Sequence, residues 1–331
     1  MQDEETVLIT GAAGFIGSSL AERLTGEGRR AVGLDNFDDF YDPAIKTRNL
    51  RNLLANPRFD LVRGDIRDRE LLEGLFARHR FGVVVHLAAR AGVRPSIAQA
   101  PLYADVNVTG TTNLLDLAVR HRVERFIFAS SSSVYGARAA EPFREEDAVD
   151  APVSPYAATK RAGELICQTF HGIHGLSIHC LRFFTVYGPR QRPEMAIHAF
   201  TRAIDRGDEI TVYGDGSALR DFTYIDDIVA GLAASIDTCK AFRIYNLGGG
   251  QSVSVIDTIR AIERALGKPA RIRFEPTAPG DVPVTFADVT RARDELGYEP
   301  RVRLEEGVGR FVEWYRELRA PARGGSPTPT P

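Results

Sequence analysis

The stretch Val7-Leu8-Ile9-Thr10-Gly11-Ala12-Ala13-Gly14-Phe15-Ile16-Gly17 decides the fold. Val7–Thr10 suits an extended strand, a glycine-rich turn follows, and from Phe15 to Leu24 the apolar positions fall on one helical face. Gly11 permits a tight turn, Gly14 lets the backbone approach a pyrophosphate, and Gly17 allows helix and strand to pack closely. A helix that starts there aims free N–H groups and the positive end of its dipole at a phosphate. Asp35 closes the next strand, Ala31–Asp35. A carboxylate at that point accepts from a ribose 2′-OH and repels a 2′-phosphate, which favours NAD over NADP. The spacing is GxxGxxG rather than GxGxxG, and a structural glycine turn is the alternative; the strand–turn–helix context outweighs it.

Outward from this unit, the first half of the chain alternates short β-rich runs with longer helical patterns. Pro43 to about Leu54 reads as a helix, Phe59–Arg63 as a strand, Asp68 to His79 as a helix and Phe81–Leu87 as a strand. A long helix is predicted from Pro101 to His121, then the strand Arg125–Ala129, a helix from Tyr156 to His171 and the strand Leu176–Arg182. Nearly continuous apolar strands between helices imply an α/β fold, a Rossmann-type doubly wound parallel sheet covered on both faces. Beyond Gly188, proline, glycine and arginine cluster, and helices are predicted near Met195–Arg206, Asp226–Ile236, Ser254–Leu266 and Leu304–Leu318. The expected division is an NAD-binding domain over 1–187 with returning segments near 221–247, a smaller substrate domain over 188–320, and a flexible tail over 321–331.

Composition narrows the classes of function. The 331 residues carry 42 basic and 44 acidic side chains, and a net charge of −2 builds no field for nucleic acid or a membrane surface. No apolar run approaches the ~18 residues that span a bilayer. Cys167, Cys180 and Cys239 form no CxxC pair and the acidic start lacks a signal-peptide pattern, so a cytoplasmic protein is expected. His171 and His174 lack further ligands at a metal-site spacing, and no metal is expected.

Chemistry enters with Tyr156-Ala-Ala-Thr-Lys160. Residues i and i+4 share a helix face, and an ammonium near a phenol favours phenolate below its reference pKa of about 10. That makes a general base usable near neutral pH. Ser130-Ser131-Ser132-Ser133-Val134-Tyr135-Gly136 follows a strand, which brings hydroxyls to the C-terminal edge of the sheet, where open α/β folds bind ligands. Alone it would read as a serine-rich turn. With the glycine loop and the Tyr156/Lys160 pair in one chain, a Ser–Tyr–Lys redox site is the better reading. Asp226-Asp227 reads as the cap of the helix that follows, and Ser154-Pro155 as a helix start.

These motifs resemble the extended short-chain dehydrogenase/reductase family and, within it, the nucleotide-sugar epimerases, over nearly the whole chain. The resemblance makes Ser131, Tyr156 and Lys160 the catalytic set, with Lys160 on the nicotinamide ribose and lowering the Tyr156 pKa. It implies cofactor contacts from the turn (Gly11, Gly14, Phe15, Ile16, Gly17) and from Asp35 and Asn36. Asp65 and Ile66 of Gly64-Asp65-Ile66 would meet the adenine, and Leu87, Ala88 and Ala89 would lie beside the cofactor with Asn107, Ser130, Tyr156 and Lys160. Arg220 of Arg220-Asp221-Phe222 would hold the substrate diphosphate, and Asp281 of Pro279-Gly280-Asp281-Val282 would read the nucleotide ribose. Ala278 stands where related enzymes carry a diphosphate-binding arginine, which puts more of that charge on Arg220. The helices over 101–121 and 156–171 would form a four-helix homodimer interface.

Arg182-Phe-Phe-Thr185-Val-Tyr-Gly-Pro189, Arg192-Pro-Glu-Met195-Ala196 and Ala91-Gly-Val-Arg94 look like the branch that acts on UDP-uronic acids. Hexose-type relatives carry Asn where this chain has Thr185. Arg192 offers a guanidinium fork for the carboxylate that separates a uronate from a hexose; the plain alternative is a surface arginine. The resemblance adds Arg94, Ser132, Ser133, Thr185, Met195, Ala196 and Tyr213 to the substrate contacts of Ser131 and Tyr156. It implies NAD-dependent C4 epimerisation of UDP-glucuronate to UDP-galacturonate through a transient 4-keto sugar. UDP-glucuronate decarboxylation and UDP-hexose 4-epimerisation are the alternatives. A non-catalytic NAD sensor would not need Tyr156, Lys160 and the serine cluster together.

Overall fold

The computed structural model describes residues 5–137, 141–277 and 282–319. Its strands are Thr6–Thr10 (β1), Arg30–Asp35 (β2), Phe59–Arg63 (β3), Phe81–His86 (β4), Arg125–Ser131 (β5), Ser177–Phe183 (β6), Thr185–Tyr187 (β7), Glu209–Tyr213 (β8), Leu219–Tyr224 (β9), Phe242–Leu247 (β10), Ser252–Ser254 (β11) and Arg271–Glu275 (β12). The first six and β10 form one seven-stranded parallel sheet in the order β10-β6-β5-β4-β1-β2-β3. Successive side chains alternate between its faces. Val7 and Ile9 enter one core with Val83, Val85 and Ile127, while Leu8 enters the other with Val32, Val84 and Phe126. Both faces are covered, which is why these strands read as near-continuous apolar runs.

The helices are Phe15–Gly26 (α1), Pro43–Asn49 (α2), Arg69–Arg78 (α3), Val93–Ala98 (α4), Ala100–Ala104 (α5), Gly110–Arg120 (α6), Pro155–His174 (α7), Ala196–Arg206 (α8), Ile225–Thr238 (α9), Val255–Leu266 (α10), Thr290–Leu296 (α11) and Leu304–Arg319 (α12). The long helix predicted over 101–121 is interrupted: α5 gives way to a π-helical turn over Asp105–Thr109 before α6. The helix predicted from Pro43 to Leu54 ends at Asn49, and Leu53–Ala55 is a separate 3₁₀ turn. Asp227 is not a cap. It lies in the first turn of α9 and its carboxylate accepts from the backbone N–H groups of Arg301 and Val302 at 3.1 Å each, tying the segment before α12 to the sheet-covering helix. Ser154 does cap α7, accepting from Ala157 N at 3.1 Å.

From Thr185 onward the chain builds a three-stranded sheet, β11-β9-β7, and the parallel pair β12-β8. It also returns β10 to the edge of the large sheet. One apolar core runs without a break from Val7 and Ile9 of β1 to Phe311 and Tyr315 of α12. The strand order reverses at β1, between β2 and β4, and ligands of open α/β sheets bind in the crevice at the strand ends there.

Candidate active site

A cleft opens at that reversal, with a cavity of about 290 Å³. Its floor is the turn after β1. Gly11 has φ +71°, and a Cβ on it would stand 2.9 Å from the Ala88 nitrogen. A Cβ on Gly17 would stand 2.2 Å from the Gly11 carbonyl oxygen, so Gly17 packs on the turn itself rather than on a strand. Gly14 begins α1 without a side-chain cap, and the first turn carries no acid, which leaves the positive end of the helix facing the cleft beside Phe15 and Ile16.

Asp35 is buried at the end of β2. Its Oδ2 accepts from Ala13 N at 3.0 Å, and its Oδ1 from Phe37 N at 2.8 Å and Lys46 Nζ at 3.2 Å. Beside it, Asn36 donates to Asp65 at 2.9 Å. The Arg67 guanidinium grips Asp65 and holds its carboxyl down at about 2, so that group is ionised at neutral pH. Ile66, Leu87, Ala88 and Ala89 complete this half of the lining.

Ser130, Ser131, Tyr156 and Lys160 line the other half. The Ser131 hydroxyl donates to Ser133 Oγ at 3.0 Å, whereas Ser130 turns away and donates to Glu164 at 2.6 Å. Burial raises the Tyr156 phenol; Ser131 and the charge of Arg192 pull it back. Lys160 lies on the same face of α7, its Nζ 6.0 Å from the Tyr156 ring centroid, and donates to the Ala129 carbonyl at 2.7 Å. Burial lowers the Lys160 ammonium to about 8. Ser131 and Arg192 thus act on the Tyr156 phenol beside the lowering expected of Lys160.

The remaining residues named from sequence fall in three places. Arg192 and Met195 line the same cavity, with Arg192 Nε 2.9 Å from Glu194 Oε1. Asn107 lies behind the wall, in the π turn: its amide accepts from Arg90 N at 2.8 Å and donates to Arg90 O and Thr159 Oγ1 at 3.0 Å each, so it shapes the loop after β4. Ser132, Ser133, Thr185 and Ala196 adjoin residues of the cavity without lining it. Further out, Arg94 stacks on the Tyr213 ring at 4.3 Å, and Arg220 donates to the carbonyls of Leu219 and Pro283 at 2.9 and 3.4 Å. Ala278, Asp281 and the tail over 321–331 lie outside the described residues.

Sequence reasoning missed three contributors. Lys46 pairs with Asp35 from α2; Phe40 and Tyr41 project into the cavity from the loop after β2. The third is an ion pair, fully buried, between Glu164 of α7 and Arg182 of β6 at 2.8 and 2.9 Å. It stands directly behind Ser130 and ties β5, β6 and α7 together at the edge of the cleft. Glu164 was within reach of a spacing argument, since Tyr156, Lys160 and Glu164 fall at i, i+4 and i+8 on one helix face.

Comparison with known proteins bears on what this cleft does. Residues 7–248 match the model of the NAD dependent epimerase/dehydratase family. The chain is 42% identical over 311 residues to a UDP-glucuronate 4-epimerase of Thermodesulfobacterium geofontis, covering 94% of this chain and 96% of that one. It is 44% identical to UDP-glucuronate 4-epimerase 4 of Arabidopsis thaliana over 328 residues, with 94% and 75% covered. Among solved structures, the UDP-glucuronic acid 4-epimerase of Bacillus cereus in complex with UDP-glucuronic acid and NAD superposes with a TM-score of 0.88 at 37% identity, covering 95% of this chain and 99% of that one. The UDP-glucose 4-epimerase of Thermotoga maritima superposes equally well, TM-score 0.88, at 31% identity over 95% and 100% of the two chains.

Proposed function

The chain belongs to the NAD dependent epimerase/dehydratase family, and we propose that it is an NAD-dependent enzyme that epimerises UDP-glucuronate at C4 to UDP-galacturonate. The observation that carries this reading is one cavity lined at once by the glycine turn, Asp35, Ser131, Tyr156, Lys160 and Arg192. The turn fits the cofactor, because Gly14 opens α1 with no side-chain cap and no acid in its first turn, which leaves N–H groups for a phosphate, and Asp35 offers a ribose its carboxylate. NAD, when bound, supplies reversible hydride acceptance at C4.

The protein supplies the rest. Tyr156 Oη takes the proton of the C4 hydroxyl, and Ser131 hydrogen-bonds the same oxygen. One of the three Lys160 N–H groups is committed to Ala129 O, and the others serve the nicotinamide ribose. Arg192, which lines the cavity, holds the sugar carboxylate; Thr185 and Ser132, each next in sequence to a lining residue, are assigned to the same group by the family resemblance. That grip has a chemical purpose. With C4 as a carbonyl the sugar is a β-keto acid, which loses CO₂ when its C5–carboxylate bond stands perpendicular to the carbonyl plane. A site that keeps the bond out of that orientation epimerises without decarboxylating.

The same reading gives the cofactor to 1–187 with returning segments over 221–247 and the nucleotide sugar to 188–320. It also makes the protein a cytoplasmic homodimer. No helix among the described residues is long and apolar enough to cross a membrane. Incubation with UDP-glucuronate and mass spectrometry of the nucleotide sugars, with chromatographic separation of the C4 epimers, tests the function. We expect UDP-galacturonate, and more UDP-pentose from Thr185→Ala or Ser132→Ala. Wild-type protein that makes mainly UDP-pentose would be a decarboxylase.

A further inference from the structure

The loop that leaves Asp35 is a chain of side-chain-closed turns. Asp35 accepts from Phe37 N at 2.8 Å, Asn36 from Asp38 N at 3.0 Å, and Asp38 from Phe40 N at 2.9 Å. Each is an i to i+2 bond of the kind that fixes Asx turns. They deliver the Phe40 ring, at a set distance from the Asp35 carboxylate, into the cavity that holds Tyr156 and Arg192. There the Arg192 guanidinium carbon lies 5.6 Å from the centre of the Phe40 ring, and that of Arg90 lies 5.1 Å from it. Arg90 is anchored in turn by an ion pair with Asp38 and a 3.1 Å bond to Gln99.

Stacking engages the face of a guanidinium and leaves its N–H edge for a carboxylate. Arg192 already gives Nε to Glu194, a half-exposed side chain that competes for that edge. A long, flexible arginine needs a fixed surface to hold its plane, and the Phe40 ring stands on a backbone closed by three side-chain bonds. We propose that Phe40 is a specificity-determining positioning residue: its ring is the platform that orients Arg192 toward the carboxylate of a uronate substrate. Selection of the sugar is thereby built onto the loop whose root, Asp35, selects the cofactor. The inference rests on Arg192 as the carboxylate holder.

The test measures binding of UDP-glucuronate and of UDP to the NAD-loaded protein by calorimetry, in wild type, Phe40→Leu, Phe40→Tyr, Arg192→Leu and the Phe40→Leu/Arg192→Leu double variant. Leucine keeps apolar bulk and removes the π face; tyrosine keeps it. Phe40→Leu should weaken UDP-glucuronate roughly three- to tenfold, with UDP binding and NAD retention changed less than about twofold. Phe40→Tyr should restore the preference, and in the Arg192→Leu background Phe40→Leu should add less than about twofold. Equal loss of UDP and UDP-glucuronate, or a full Phe40→Leu effect without Arg192, overturns the inference while Arg192 keeps its role. An Arg192→Leu protein with unchanged uronate preference removes that role, and the inference falls with it.

Discussion

At the scale of single residues, burial and charge around two side chains set the behaviour of the cleft. Asp35 spends one lone pair on Ala13 N and others on Phe37 N and Lys46, and the proposed function gives it a ribose hydroxyl as well. Lys46 makes the site convertible. In Asp35→Ser the repulsion is gone and a buried ammonium stands ready for a 2′-phosphate, so NADP affinity should rise at least about tenfold relative to NAD in calorimetry. Unchanged discrimination would take the choice of cofactor away from Asp35. Tyr156→Phe keeps the ring and loses the hydroxyl that the proposed function makes the base, and turnover should fall on the order of 10²–10⁴-fold with folding intact. As a base the phenol would act only when deprotonated, so the rate should rise with pH through its pKa. Arg192 lowers that pKa; Arg192→Leu should move the rising limb of kcat/KM to higher pH. A limb that stays put or moves down would mean that the base does not feel Arg192.

Elements were legible where one period repeats and illegible where a distant side chain intervenes. The patterns of β1, β3, α1 and α10 are local and fall within a few residues of their observed bounds. The break in the helix over 101–121 is not local: Asn107 in the π turn bonds the backbone of Arg90, 17 residues earlier, and that pull has no signature in helical periodicity. The three-residue strands β7 and β11 are too short for alternation to register. Packing between β6 and α9 carries its own expectation. His179 is buried, 2.9 Å from Ser235 Oγ, and burial lowers its imidazole to about 4. Between about pH 6.5 and 4 the unfolded chain binds a proton there that the folded chain does not, so stability falls as pH falls, at about 1.4 kcal/mol per unit of pKa difference. Denaturant unfolding of His179→Gln at pH 7 and 4.5 should show an acid loss smaller than wild type by about 2–3 kcal/mol. An equal loss would place the acid sensitivity elsewhere.

For the whole molecule, the exposed apolar residues Leu165 and Ile173 on α7 lie on the helix that the family resemblance assigns to a dimer interface. Analytical ultracentrifugation should find a dimer, and Leu165→Glu should shift it toward monomer by burying a charge; a monomeric wild type would remove the interface. By itself the sequence determined the nucleotide-binding half: a strand, a glycine turn, a helix and a carboxylate all lie within Val7–Asp35, where each contact is made by near neighbours and spacing stands in for distance. It also placed Tyr156 and Lys160 on one face, because a helix fixes i and i+4. The pairing of Glu164 with Arg182, of Lys46 with Asp35, of Asp227 with the backbone at Arg301, and the meeting of Phe40 with Arg192 were decided only by tertiary structure. Phe40 and Arg192 stand 152 positions apart. Nothing periodic links such positions. Their contact exists because the segments after β2 and β7, strands of two different sheets, turn into one cleft and must share the same small volume.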